Sequence, residues 1–172
     1  MTEEVRRVVT GHNVQGHAVV KAIDVVPLVT RSIPNWQGAE LWATSNMPTD
    51  NDALDVVPIN AGAMGGRSVL RQMCILPGGS TGMHRTLTLD YVIILSGQLD
   101  MELDSGDIVK LGPSDIVIQR GTNHRWTNSS DEPCRCAFVQ FDAKPVTVGT
   151  TVLGEYLDEM PAGMSVMYSS PK

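Results

Sequence analysis

The second half of the chain alternates between apolar and polar residues with a period of two, and this pattern restricts the fold more than any other feature. Residues 98–103 alternate without a break and direct Leu99, Met101 and Leu103 to one face. An Asp-Ser-Gly turn follows, and residues 108–111 are predicted to be the returning strand. We therefore expect a β-hairpin with one buried face.

Further segments carry strand patterns, and turn residues separate them at short intervals. They are residues 67–76, 89–95, 116–119 and 134–141, with less regular candidates at 6–10, 18–26 and 40–44. Short strands at such spacing are typical of a barrel or a sandwich. We predict a single all-β domain in which residues 67–142 form an antiparallel β-barrel. Residues 1–66 would add strands and an irregular segment packed on the barrel, and residues 143–172 a C-terminal extension with a short helix at 154–160.

Charge and the N-terminal sequence argue against several classes of function. The chain has 19 acidic and 13 basic residues and a formal net charge of −6, whereas nucleic acids and anionic membranes require a basic surface. No apolar signal region begins the chain and no apolar run is long enough to span a membrane, so a cytoplasmic location is expected. The cysteines lie in apolar stretches and should be buried and reduced: Cys74, Cys134 and Cys136.

Two histidines and one aspartate are candidates for a functional site. His84 and Asp90 lie in a stretch bounded by glycines, and His124 follows a run of strand-forming residues. Two imidazoles and a carboxylate are sufficient to bind a divalent metal or to carry out acid–base catalysis. Both alternatives stay open from the residues alone.

The stretches around the two histidines resemble the paired motifs of the cupin superfamily. The first cupin motif is a glycine, two histidines, a glutamate and a closing glycine, and the corresponding residues here are Gly79, His84, Thr86, Asp90 and Gly97. The second motif is matched by Asp115, Gln119, Gly121, His124 and Asn128. The resemblance covers residues 67–142 and is closest to small single-domain cupins with a His-Arg-Thr first motif. It implies a cupin-type barrel, also called a double-stranded β-helix or jelly roll.

Three positions depart from the cupin pattern. Thr86 stands in the second histidine slot, Asp90 in the glutamate slot and Gln119 in the proline slot. The resemblance implies that His84, Asp90 and His124 converge in the barrel as catalytic residues, and as ligands if iron, zinc or manganese is bound. In the metal-free alternative, one histidine takes a proton while Asp90 sets its tautomer.

Further residues in or beside these motifs are candidates for substrate binding: Thr86, Arg71, Trp126, Met73 and Gln119. Arg71 could clamp a substrate carboxylate or face solvent, and Trp126 could form a pocket wall or simply pack. Strand alternation relative to the histidine predicts that Arg85 and Tyr91 face outward. Trp36 is expected to cover the barrel mouth or to contact a partner subunit.

The resemblance favours a small-molecule enzyme, because many small cupins of this kind occur in aromatic-degradation or polyketide settings. The first hypothesis is lyase or isomerase chemistry (decarboxylation, dehydration or proton transfer) on a hydrophobic, oxygenated substrate. The second is a non-haem iron oxygenase, and the third is a non-catalytic ligand-binding cupin. Cupins commonly dimerise through N-terminal strands, so a homodimer formed through residues 5–26 is expected.

Overall fold

The computed structural model describes residues 4–44, 46–51 and 67–158, and every regular element in these ranges is a β-strand. No helix in this part of the chain is long and apolar enough to cross a membrane. The strands, in chain order, are β1 (Glu4–His12), β2 (Ala18–Pro27), β3 (Val29–Thr30), β4 (Trp36–Thr44), β5 (Ser68–Ile75), β6 (His84–Arg85), β7 (Thr88–Ser96), β8 (Leu99–Leu103), β9 (Ile108–Leu111), β10 (Ile116–Arg120), β11 (His124–Thr127), β12 (Cys134–Asp142), β13 (Val146–Val148), β14 (Thr151–Leu153) and β15 (Tyr156–Leu157). The predicted all-β class is confirmed.

Two antiparallel sheets make up the barrel. The larger has the strand order β10-β7-β12-β5-β4-β3, and the smaller has the order β15-β6-β11-β8-β9. Hairpins β1–β2 and β13–β14 form separate two-stranded sheets. The crossovers between the two larger sheets are those of a jelly roll, so the strands predicted between residues 67 and 142 all belong to the barrel.

The core lies between the two sheets and contains apolar residues from both. Alternation places Leu99 and Met101 inside, with Leu103 partly buried against them, as predicted. Trp36 is buried in the same cluster, at the first residue of β4 in the larger sheet. The three cysteines are buried free thiols, as expected from their apolar surroundings.

The closing glycine of the first motif is required by the backbone around it. Gly97 has a φ of +76° at the end of β7, a conformation that side chains with a Cβ rarely adopt. A Cβ at this position would lie 2.4 Å from the carbonyl oxygen of Pro133. The tight approach of these two chain segments therefore accounts for the glycine in the motif.

The C-terminal segment corrects one prediction. Residues 154–158 are not helical: β15 pairs with β6, with Tyr156 opposite Arg85 and Leu157 opposite His84. The two-residue strand β6 has an open edge, and a segment this short gains more from pairing there than from the costly first turn of a helix. The last two residues of the predicted helix, 159 and 160, lie outside the described residues.

The N-terminal hairpin β1–β2 exposes apolar side chains that a second copy of the chain could cover. Val20 and Ile23 are more than half exposed, and two strands alone are marginally stable in water. We expect a homodimer formed through residues 5–26. Light scattering at micromolar concentration should show a dimer, and V20K/I23K should shift it to monomer. V14K, at the 96% exposed hairpin tip, should leave the dimer intact. A monomeric wild-type protein would contradict the expectation.

Candidate active site

His84 and His124 face each other across two paired strands. The short strand β6 lies antiparallel to β11, and the two histidines are directly opposite in the register. Their ring centroids are 4.3 Å apart. His124 is almost fully buried, whereas His84 is only partly buried and therefore accessible to a ligand. The smaller sheet thus brings together the two predicted histidines.

Each imidazole is held by a backbone carbonyl two residues before it. His84 Nδ1 lies 2.9 Å from the Gly82 oxygen, and His124 Nδ1 lies 3.0 Å from the Thr122 oxygen. A carbonyl oxygen only accepts hydrogen bonds, so the contact with Gly82 assigns the proton of His84 to Nδ1. The lone pair of the neutral His84 imidazole is then on Nε2, the atom available for proton transfer. At His124 the amide nitrogen of Gln119 also lies within hydrogen-bond distance of Nδ1.

Burial keeps both imidazoles neutral. It lowers the pKa of His84, while hydrogen bonding to the Gly82 and His124 backbones opposes the shift. Burial, with a further contribution from the charge of His84, lowers the pKa of His124 to about 3. His84 is therefore the better base, and its protonation makes protonation of His124 still less favourable.

Gln119 supports His124 from the Nδ1 side. Its side-chain amide is buried, donates a 3.1 Å hydrogen bond to the Thr122 oxygen and lies 3.1 Å from His124 Nδ1. It also bonds the Thr122 hydroxyl. The residue in the cupin proline slot thus fixes the turn that orients the imidazole, and these contacts occupy the amide nitrogen named as a substrate-binding candidate.

Asp90 does not join the histidines. It lies on β7 of the larger sheet, and Gln140 Nε2 donates a 2.9 Å hydrogen bond to its Oδ2. Its register partner on β10 is Gln119, the residue that contacts His124. Burial raises the pKa of Asp90, and hydrogen bonds from Thr88 and Gln140 and the charge of Arg71 oppose this only in part.

The predicted three-residue ligand set is therefore not assembled. Among the described residues, no three histidine, cysteine or acidic side chains lie close enough together to hold a metal ion. Asp90 is instead bonded to Gln140, and its register partner Gln119 is the residue that contacts the His124 imidazole. His84 and His124 could supply two nitrogens to a metal, but the residues present do not fit a centre with three protein ligands.

Arg71 belongs to a buried polar network and does not face solvent. Its Nε lies 3.4 Å from Glu40 Oε1, and its Nη1 donates to the Gln140 side-chain oxygen. Gln140 in turn holds Asp90. The alternation of Cys134, Cys136 and Phe138 along β12 also points Gln140 inward, so this residue could have been found from the sequence.

The three remaining candidates for substrate binding are buried and contact other side chains of the protein: Thr86, Trp126 and Met73. Thr86 is buried and its hydroxyl forms a 2.7 Å hydrogen bond with that of Thr88. Trp126 packs edge-on between His124 and Phe138, at centroid distances of 5.4 and 5.9 Å, which agrees with the packing interpretation. Met73 is part of the core.

The two residues expected to face outward behave differently. Tyr91 is exposed, as predicted. Arg85 is partly buried and its Nη1 lies 3.4 Å from the Gly154 oxygen, because β15 covers the edge of β6. Arg85 is thus less exposed than alternation predicts, because alternation within β6 could not show that a C-terminal strand packs beside it.

Known proteins with similar sequences and folds agree with this architecture. Residues 71–140 match Cupin_2, a cupin domain. The chain is 34% identical to phomopsin biosynthesis cluster protein C' of Diaporthe leptostromiformis, over 91% of both chains. It is 29% identical to the cupin-domain-containing oxidoreductase fogC of Aspergillus ruber, over 88% of this chain and 79% of that protein. The polyketide cyclase RemF from Streptomyces resistomycificus shares the fold, with a TM-score of 0.50 and 19% identity over 76% of this chain and 75% of that one. The sequence motifs, the jelly-roll barrel and these similarities together show that the chain belongs to the cupin superfamily.

Proposed function

We propose that this protein is a small-molecule enzyme that moves a proton within a hydrophobic, oxygenated substrate, with His84 as the base. The observation that carries the proposal is the partly exposed His84 imidazole, with Nδ1 tied to the Gly82 carbonyl, Nε2 left as the basic atom, and the His124 ring 4.3 Å away. A base held neutral at physiological pH can accept a proton without first losing one.

The proposed reaction needs one base. His84 Nε2 removes a proton from a carbon beside a substrate carbonyl, leaving an enolate and an imidazolium. If the substrate has a β,γ double bond, the imidazolium returns the proton to the γ carbon and the double bond moves into conjugation with the carbonyl, which gives an isomerase. If the β carbon carries a hydroxyl group, the imidazolium protonates it as it leaves as water, which gives a dehydratase. His124 stays neutral throughout, because two imidazolium rings at 4.3 Å would repel each other. It can therefore contact the substrate without competing for the proton.

The similar proteins support small-molecule chemistry in general terms. The relative that matches 91% of this chain is named for a phomopsin biosynthesis cluster. The apolar and aromatic surroundings of the histidines, including Trp126 and Phe138, suit a hydrophobic substrate better than a highly charged one. An aromatic or polyketide-like substrate with a carbonyl group is consistent with both observations.

Oxidoreductase activity is the second candidate, because relatives from Aspergillus ruber and Hypocrea virens, each 29% identical, are named cupin-domain-containing oxidoreductases. Non-haem iron oxygenases hold iron with two histidines and a carboxylate. Only the two histidines come together in the described part of this chain. We therefore place this candidate below proton transfer.

The decisive experiment combines three measurements on protein purified without a chelating tag. Candidate cyclic β-diketones and phenolic acids are incubated in D2O, and deuterium incorporation at the carbon beside the carbonyl is followed by NMR. Metal content and oxygen consumption are measured on the same samples. We expect catalysed exchange that persists in EDTA and under nitrogen. Bound iron with substrate-dependent oxygen uptake would favour the oxidoreductase, and tight binding without exchange would favour a non-catalytic module.

A further inference from the structure

A cavity whose lining does not include the histidine pair lies where residues of the C-terminal hairpin β13–β14 meet residues of the barrel strands. Its volume is about 250 Å³. Thr86, Thr88 and Gly121 contribute to one side, and Leu89, Val146 and Leu153 supply apolar wall. Clefts for drug-sized ligands are usually ~300–1,000 Å³, so this cavity suits a smaller molecule.

The charges around this cavity all have one sign. Arg85, Arg120 and Lys144 line it, and no acidic residue is among the described lining residues. This is unexpected in a chain where acidic residues outnumber basic ones by 19 to 13. Arg120 and Lys144 are exposed and form no ion pair within the described ranges, so the cavity concentrates uncompensated positive charge.

The hydrogen bonding of Arg85 gives evidence for a bound anion that does not depend on the number of charges. Its Nε is buried and has no hydrogen-bond partner in the described part of the chain, while its Nη1 makes only a long contact of 3.4 Å with the Gly154 oxygen. A buried donor without a partner is costly, and in native proteins such a group calls for a specific explanation. An anionic oxygen beside Arg85 would supply the missing acceptor.

We propose that this cavity binds a small organic acid, with its carboxylate held by Arg85, Arg120 and Lys144 and its hydrocarbon part against Leu89, Val146 and Leu153. Arginine provides paired donors that match a carboxylate, and lysine adds a mobile charge. The leucine and valine surfaces favour an acid with an apolar chain over inorganic phosphate. The site is separate from the histidine pair and does not depend on the proposed reaction.

Hexanoate is a suitable probe. Hexanol serves as its uncharged counterpart, and inorganic phosphate as an anion without a hydrocarbon chain. Binding is followed through backbone amide chemical shifts in NMR titrations of the full chain. We expect hexanoate to shift the amides of Thr86, Thr88 and Gly121, and to bind more tightly than either hexanol or phosphate. Equal binding of hexanol would overturn the role of the charges, and tighter binding of phosphate would overturn the ligand class.

Two double variants with the same change in net charge test whether the cations that line the cavity bind hexanoate. R120Q/K144Q removes two exposed cations from the cavity and should weaken hexanoate binding about tenfold. R6Q/K110Q changes the net charge equally but affects no lining residue, so it should bind like wild type. H84A should also bind hexanoate normally. Loss of binding in H84A, or equal weakening in both double variants, would contradict this site even if the proposed proton transfer were correct.

Discussion

H84A should lower the rate of substrate deuterium exchange by roughly 10²–10⁴-fold, the usual contribution of a positioned general base. The physical reason is that the neighbouring imidazole cannot replace it: His124, 4.3 Å away, has a pKa of about 3 and is a far weaker proton acceptor. Because His84 is partly exposed, added imidazole should enter the vacated space and restore part of the rate. The exchange assay with and without imidazole measures both effects.

Three further variants define the controls for this result. H124Q keeps most of the buried volume and should lower the rate less than H84A. D90N should also have the smaller effect, because Asp90 contacts Gln140 and not the imidazoles. H12A, on the exposed N-terminal hairpin, should be unchanged. If H84A retained full activity, or if D90N removed both activity and a bound metal, the proposed role of His84 would be wrong.

The fold could be predicted from the sequence because its signals are local. Residues 108–111 form β9 with the predicted bounds, since period-two alternation and an Asp-Ser-Gly turn specify a hairpin without reference to the rest of the chain. The C-terminal strand β15 could not be predicted in this way. Its two residues are held by the open edge of β6, and such an edge exists only after the barrel has formed.

The candidate site could be predicted only in part, because some of its contacts depend on long-range strand pairing. The motifs correctly bring His84 and His124 together, because both lie on neighbouring strands of one sheet. The position of Asp90 depends on long-range pairing, which sets Gln119 and Gln140 on either side of β7. A carboxylate six residues after a histidine is therefore compatible with a metal centre or with a buried hydrogen-bond network, and only the sheet arrangement distinguishes them.

R71M should destabilise the protein by about 3–5 kcal/mol, the usual cost of leaving a buried charge without its partner. Arg71 is 5% exposed and lies against Glu40 and Gln140, and its charge also lowers the pKa of buried Asp90. Without the guanidinium, Asp90 loses its nearby positive charge, and Glu40 keeps only Arg31, whose Nη2 lies 3.9 Å from its Oε1. Urea unfolding monitored by tryptophan fluorescence gives the change in free energy, provided that the slope with denaturant is unchanged.

A matched surface pair shows whether burial is the cause of this loss. Arg125 and Glu102 lie 3.3 Å apart with about a third of each side chain exposed, so R125M should cost less than ~1 kcal/mol. R71M/E40Q should recover part of the stability lost in R71M, because it removes the carboxylate that has lost the closer of its two cationic partners. A substrate clamp would behave differently: R71M would keep its stability and raise KM in the exchange assay. The stability of R71M therefore distinguishes a residue that binds substrate from one that holds the buried network of Glu40, Gln140 and Asp90 together.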